Sequence, residues 1–169
     1  MIRPLILAIS SVLALAACES PASRMGADGR PAPQVYKLNA PDVGRVQLRI
    51  ADSVNSLRKA KALQPVTLNA SLNAAAATHA RDMSVQNRPW HFGSDGSSPL
   101  DRVRRAGYPG MMLGELISET YETELETLAA WMEGPDTRTI LLQPEVRDIG
   151  FAYFQEPNGK IWWTLVTGG

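Results

Sequence analysis

The chain has 169 residues, with 17 Lys and Arg set against 17 Asp and Glu, one cysteine and two histidines. Balanced charge leaves no basic field for nucleic acid or anionic lipid, and a single cysteine excludes an internal disulfide. The length remaining after an N-terminal leader suits one domain that buries a sizeable core unaided.

The N-terminus opens with Arg3 and an apolar run from Leu5 to Ala17 that ends in LAAC at Cys18. Such a run is too short to cross a bilayer, which takes ~20 apolar residues, and has the charge, length and small-residue ending of an export signal. The LAAC ending resembles a bacterial lipobox, which makes Cys18 the expected lipid-modified first residue of the mature chain; an ordinary signal peptide with an incidental cysteine is the alternative. The expected organisation is a leader over 1–17, a tether over 18–42 rich in Pro, Gly, Ser and Ala, and a folded domain over 43–169.

Within the folded part, Val43, Val46, Ile50, Val54 and Leu57 recur at spacings of three and four, predicting a helix over about 42–62. Asn69 caps a second helix whose inward face carries Leu72, Ala76, Ala80 and Met83. Four alanines at 74–77 imply a close neighbour. Ser98 followed by Pro99 opens a third, short helix that closes at Gly107. Thr123 and Glu126 have capping-box spacing and start a fourth helix over about 123–133, with Leu125, Leu128, Ala129 and Met132 as its apolar stripe, broken by Gly134-Pro135-Asp136. Two strand-like runs follow, IGFAYFQ (149–155) and KIWWTLV (160–166), joined by a turn at Asn158-Gly159. Helices first and a hairpin last predict an α+β fold with a small antiparallel sheet covered by helices.

The residues that point to chemistry are few. His91 lies in the Gly-rich loop WHFGSDG (90–96), and Glu115 lies in a GELI segment read as a turn; loops on a rigid scaffold are common sites of function. No nucleophile elbow, phosphate-binding Gly loop or CxxC is present. Asp95 and Asp101 flank a helix start, where capping explains them. His79 reads as packing on the alanine-rich helix, and Arg138 as a local partner of Glu145 or Asp148. Trp131, Trp162 and Trp163 read as core, whereas Trp90 is placed to line a cleft mouth and stack on a ring or sugar.

Taken in order, VNSLRKAKALQPVTLNASLNAAAATHARDM, then HFGSDGSSPLDRVRRAGY, GELI, WMEGPDTRTILLQP, DIGF and WWT resemble the CAP superfamily. That superfamily includes cysteine-rich secretory proteins, antigen 5 and the plant pathogenesis-related group, and the likeness is greatest to its short bacterial SCP-like branch. It runs from about Val46 to the C-terminus. It implies a three-layer α-β-α sandwich with a cleft lined by two histidines and two acids, where several members bind a divalent metal. His91 matches the first histidine and Glu115 the glutamate of the family's G-E-N-I turn. Thr137 stands where the second histidine is expected, and Leu116 replaces the asparagine of the turn. The second acid is unassigned among Glu126, Glu133 and Asp136, and the family's helical histidine outside the cleft corresponds to His79. A chemically active zinc site usually has three protein ligands and a water, so one histidine and one glutamate leave it short, and zinc binding is expected to be weak or absent.

The cleft candidates are therefore His91, Glu115, Thr137 and Trp90, with His91 and Glu115 the only candidates for catalysis or metal. His91 is either a remnant ligand or base, or a structural partner of Glu115 in a buried pair. The function expected is a lipid-anchored envelope protein whose domain binds or scaffolds an apolar ligand, a glycan or another envelope protein. The alternatives are a hydrolase of peptide or cell-wall material using His91 and Glu115, and a remnant that has lost its site.

Overall fold

The computed structural model describes residues 36–39, 42–120 and 122–169; the leader, Cys18 and the tether before Tyr36 lie outside the described residues. Tyr36 to Asn39, counted with the tether by composition, are tied to the domain. Gln155 donates to the Tyr36 carbonyl (2.6 Å) and accepts from Leu38 N (2.9 Å), and Tyr36 Oη donates to Glu124 (2.8 Å).

Helix α1 (Val43–Ala60) buries Val46, Ile50 and Val54 as the periodicity predicts, but Arg58 is fully buried one position beyond Leu57. Strand β1 is two residues, Thr67–Leu68. Helix α2 (Ala70–Gln86) is capped by the Asn69 side chain, which accepts from Ser71 N and Leu72 N. Helix α3 (Pro99–Arg105) starts with Pro99 behind a Ser98–Asp101 capping box and stops at Gly107, whose φ is +77°. Helix α4 (Glu124–Glu133) begins at the Thr123–Glu126 capping box. Strands β3 (Asp148–Gln155) and β4 (Ile161–Gly168) form the expected hairpin, with Gly159 at φ +96° in its turn.

Three elements differ from the sequence reading, the two-residue β1 being one of them. Met112–Thr120 is strand β2, so GELI is not a turn and Glu115 sits on a strand. The segment hides its period, because Leu116 and Ile117 are adjacent apolar residues, Glu115 is buried, and the register shifts between Met112 and Gly114. Gly134-Pro135-Asp136 ends α4 but does not end helix: Pro135–Leu141 is α5, with Pro135 in the first turn, where its missing N–H costs nothing.

The sheet order is β1-β3-β4-β2. Three strands are antiparallel, while β1 pairs parallel with β3, so the sheet is mixed rather than purely antiparallel. One face carries Phe151, Trp163, Leu165 and Leu116 against α1, α4 and α5, with Phe151 stacked on Trp163 at 5.5 Å and edge-on to Trp131 at 6.5 Å. The other carries Ala152 and Val166 against Leu72, Ala75 and Ala76 of α2 and Val103 of α3. That is an α-β-α sandwich. Alanines let α2 settle onto Gly150 of β3, where a Cβ would come within 2.1 Å of the Leu72 backbone. Trp131, Trp162 and Trp163 are all buried.

The phenols of Tyr36 and Tyr108 are pushed up to about 12, by burial first and then by hydrogen bonds to Glu124 and Asp148. A raised folded-state value favours the protonated phenol in the fold. This contribution is therefore fully present below the ordinary value of 10 and is lost as pH rises from 10 to about 12. A phenolate absorbance titration run beside thermal melts is expected to show late-titrating tyrosines and an alkaline fall in Tm that Tyr108→Phe reduces. One phenolate step at the ordinary value for all tyrosines contradicts it.

Candidate functional site

Glu115 is the centre of the site. Its residue pairs in register with Val166 of β4, which packs under α2, so its carboxylate points into the α2–sheet interface. A carboxylate there needs compensation, and the side chain, 3% exposed, has it. Arg102 of α3 places Nη2 2.7 Å from Oε2 and 3.0 Å from Oε1. The same guanidinium donates to the His91 carbonyl (2.9 Å) and the Ser97 carbonyl (3.1 Å), tying the 91–97 loop to the pair. Capping by Ser98 and Asp101 fixes where α3 starts, and hence where Arg102 points.

His91 Nδ1 lies 2.9 Å from Glu115 Oε1. An ionised carboxylate only accepts, so Nδ1 carries the hydrogen. The histidine–glutamate pairing expected from the sequence exists, but it is not a buried pair: the His91 ring is 50% exposed. Its Nε2 lies on the other side of this half-exposed ring.

His79 belongs beside this group rather than outside it. Two turns beyond Leu72 on α2, its fully buried Nε2 is 3.7 Å from Glu115 Oε1, and neither ring nitrogen completes a hydrogen bond. Burial pulls its pKa down, outweighing the pull upward from Glu115, so the ring is neutral in the fold. Stability held through neutral His79 is present above its ordinary value of 6.5 and is lost as pH falls below it.

The remaining candidates separate from this cluster. Thr137 Oγ1 donates to the Trp131 carbonyl and lies 3.1 Å from the Gly134 carbonyl, so its hydroxyl closes the α4–α5 turn. Glu126 is the capping acid of α4, and Glu133 and Asp136 are exposed. Arg138 bonds the Met132 carbonyl (3.2 Å) rather than Glu145 or Asp148. Asp101 caps α3 as expected, whereas Asp95, also read as a cap, instead pairs with Arg105 at 2.6 Å and accepts from Ser97 N. Trp90 is 40% exposed with Phe92 at 5.7 Å, and the Arg88 guanidinium covers one ring face at 4.0 Å.

A divalent metal does not fit these residues. Both Glu115 oxygens already serve Arg102, a cation, and among the described residues no three His, Cys, Asp or Glu side chains are grouped to hold a metal ion. Arg102 is the functional residue that sequence reasoning missed. The signal was its position one turn into a capped helix, next to the histidine loop.

The 420 Å³ cavity between α2 and α3 adjoins the cluster through Arg102 without including His91 or Glu115. Comparison with known proteins agrees with this architecture. The chain is 27% identical over 120 residues to the uncharacterized protein YkwD of Bacillus subtilis, covering 71% of this chain but 46% of YkwD, so it spans about half the length of that relative. Among solved structures, an outer surface protein of Borrelia burgdorferi superposes with a TM-score of 0.69 at 15% identity, covering 80% of this chain and 98% of that one. An extracellular protein containing a SCP domain from Bacillus anthracis superposes with a TM-score of 0.69 at 18% identity, covering 79% of this chain and 44% of that one. The family model of the cysteine-rich secretory proteins matches residues 51–167, most of the folded part, and the chain belongs to the CAP family.

Proposed function

We propose that this chain is exported, held to the membrane by lipid on Cys18, and that its CAP domain binds a ligand or partner of the envelope without turning it over. The names of two structural relatives, an outer surface protein and an extracellular protein, support export. The LAAC ending supports the anchor.

The observation that carries the binding reading is the state of Glu115. A general base or metal ligand needs an oxygen available to water or metal, whereas both oxygens here are engaged by Arg102 and one of them also by His91. Zinc titration calorimetry on the purified chain is expected to give no saturable binding at micromolar levels; saturable binding at that level reverses the assignment.

The direct test incubates the purified chain with isolated cell-wall sacculi and separates pellet from supernatant. The expected result is co-sedimentation with no soluble fragments. Release of fragments that His91→Ala abolishes would make the domain a hydrolase, and absence from the pellet removes the wall as its target.

A further inference from the structure

Exposed apolar side chains gather at one end of the domain: Val85 in the last turn of α2, and Trp90 and Phe92 in the loop that follows it. The loop that carries the rings is fastened on its backbone. The His91 carbonyl accepts from Arg102 (2.9 Å) and the Phe92 carbonyl from Gln86 Nε2 (3.0 Å). While the His91 ring bonds Glu115, its two neighbours meet ring to ring at 5.7 Å and stay exposed. An exposed apolar patch on a fixed loop marks an interaction surface.

The chemistry of the patch fits the boundary of a bilayer better than it fits a sugar. A sugar stacks on a free, flat ring face. Here the Arg88 guanidinium covers one face of Trp90 at 4.0 Å, and Phe92 is tilted to it by 39°. Tryptophan prefers the headgroup level of a membrane, and an arginine there lays its apolar stem on the rings while its head reaches phosphate. The run from Gln86 to Gly93 contains no Asp or Glu. The acids beside it are engaged: Glu156 accepts from Ser84 (2.9 Å) and Trp162 Nε1 (2.7 Å), and Glu119 pairs at 3.1 Å with Lys160, which also holds Asn87 (2.9 Å). No helix of the described residues is long and apolar enough to cross a membrane, so contact is confined to the interface.

The place where the chain enters the domain selects the same partner. Helix α2 runs along β3 from Gly150, which meets the Leu72 backbone, to Glu156, which meets Ser84. The C-terminal end of α2 and the loop after it therefore lie at the Gln155 end of the sheet. Tyr36 and Leu38 are fastened to Gln155 itself. The segment from Cys18 joins the domain at the end that carries the exposed rings, and at full stretch it spans ~60 Å.

Resting on the lipid-anchor reading, we infer that Val85, Trp90 and Phe92 form a docking face for the bilayer to which Cys18 is attached. The rings and the valine enter the headgroup layer, as interfacial apolar groups do, and Arg88 reaches lipid phosphate. Docking orients the domain: α2 turns its C-terminal end to the membrane, and β1 with the start of α2 faces away, open to partners in the aqueous space.

The test uses the full chain, expressed with its leader in a bacterial host, purified in detergent and reconstituted with vesicles of brominated phosphatidylethanolamine and phosphatidylglycerol. Bromine quenches tryptophan on contact. Trp131, Trp162 and Trp163 are buried, so Trp90 is the exposed reporter, and subtracting the emission of Trp90→Phe isolates its signal. The expected result is a chain that floats with the vesicles and a Trp90 signal quenched more by bromine near the headgroup than by bromine near the acyl ends. Phe92→Asp and Val85→Gln, both at exposed positions, are expected to lose that quenching while still floating, with Tm unchanged. Floating without quenching of Trp90 overturns the docking face and leaves the anchor standing. If Trp90→Ala then also abolishes sedimentation with sacculi, the rings belong to a glycan instead. A wild-type chain that stays out of the vesicle fraction removes the anchor reading, and the docking face with it.

Discussion

Arg102→Ala is expected to destabilise the domain by about 3–5 kcal/mol, the usual cost of leaving one member of a buried ion pair without its partner. Glu115, 3% exposed, would keep only His91 from the exposed side. Adding Glu115→Gln to Arg102→Ala is expected to recover part of the loss, because a neutral amide tolerates the site better. His91→Ala leaves both Glu115 oxygens on Arg102 and is expected to cost about 1 kcal/mol or less. Urea unfolding of these variants at neutral pH checks all three. A cost for His91→Ala equal to that of Arg102→Ala would mean that the half-exposed pair, rather than the ion pair, holds the loop.

What was legible in the sequence and what was not follows one physical division. Features coded by neighbours along the chain were readable: the Asn69 cap, the Ser98–Pro99 start, the Thr123–Glu126 box and the Asn158-Gly159 turn all stand where their local chemistry demands. The family likeness placed His91 and Glu115 together, 24 residues apart in the chain and 2.9 Å apart in space. Features decided by tertiary partners were not readable. Strand β2 lacks a clean alternation because its inward Glu115 is polar and is made tolerable only by Arg102, on a different element. His79 looks like helix packing until the sheet brings Glu115 to it. Neither of the arginines that matter most, Arg102 and Arg58, drew a role from the sequence, since residue type and spacing do not tell a buried guanidinium from a solvated one.

Arg58→Met is the second large effect, expected at about 4 kcal/mol of lost stability. Arg58 is fully buried with no carboxylate bonded to it among the described residues; its partners are backbone carbonyls. Nε donates to Gln64 (2.8 Å), Nη1 to Leu141 (2.9 Å) and Gln143 (3.0 Å), and Nη2 to Val146 (3.1 Å). Those acceptors come from the turn after α1 and from the continuous stretch between the end of α5 and β3, so one side chain joins its own helix end to a segment 83 to 88 residues further along the chain. Leu141 is also the last residue of α5, where carbonyls lack intrahelical donors and the helix dipole favours a cation. Burial, and then Arg147, pull the Arg58 pKa down, which records the desolvation the carbonyls offset. Methionine keeps the apolar stem but removes a donor from four carbonyls; Gln143 keeps Val146 N and Val146 keeps Arg147 Nη1, so the loss falls mainly on Gln64 and Leu141, at about 1–3 kcal/mol for each one that water does not reach. Lysine has three donors without the planar fork and is expected to fall between methionine and arginine. Urea unfolding gives the magnitudes, and amide exchange at 141–147 locates them: faster exchange confined to that segment is the expected pattern. A methionine variant within about 1 kcal/mol of wild type would show that those carbonyls find water readily, and that the α5–β3 connection is held by the aromatic core rather than by Arg58.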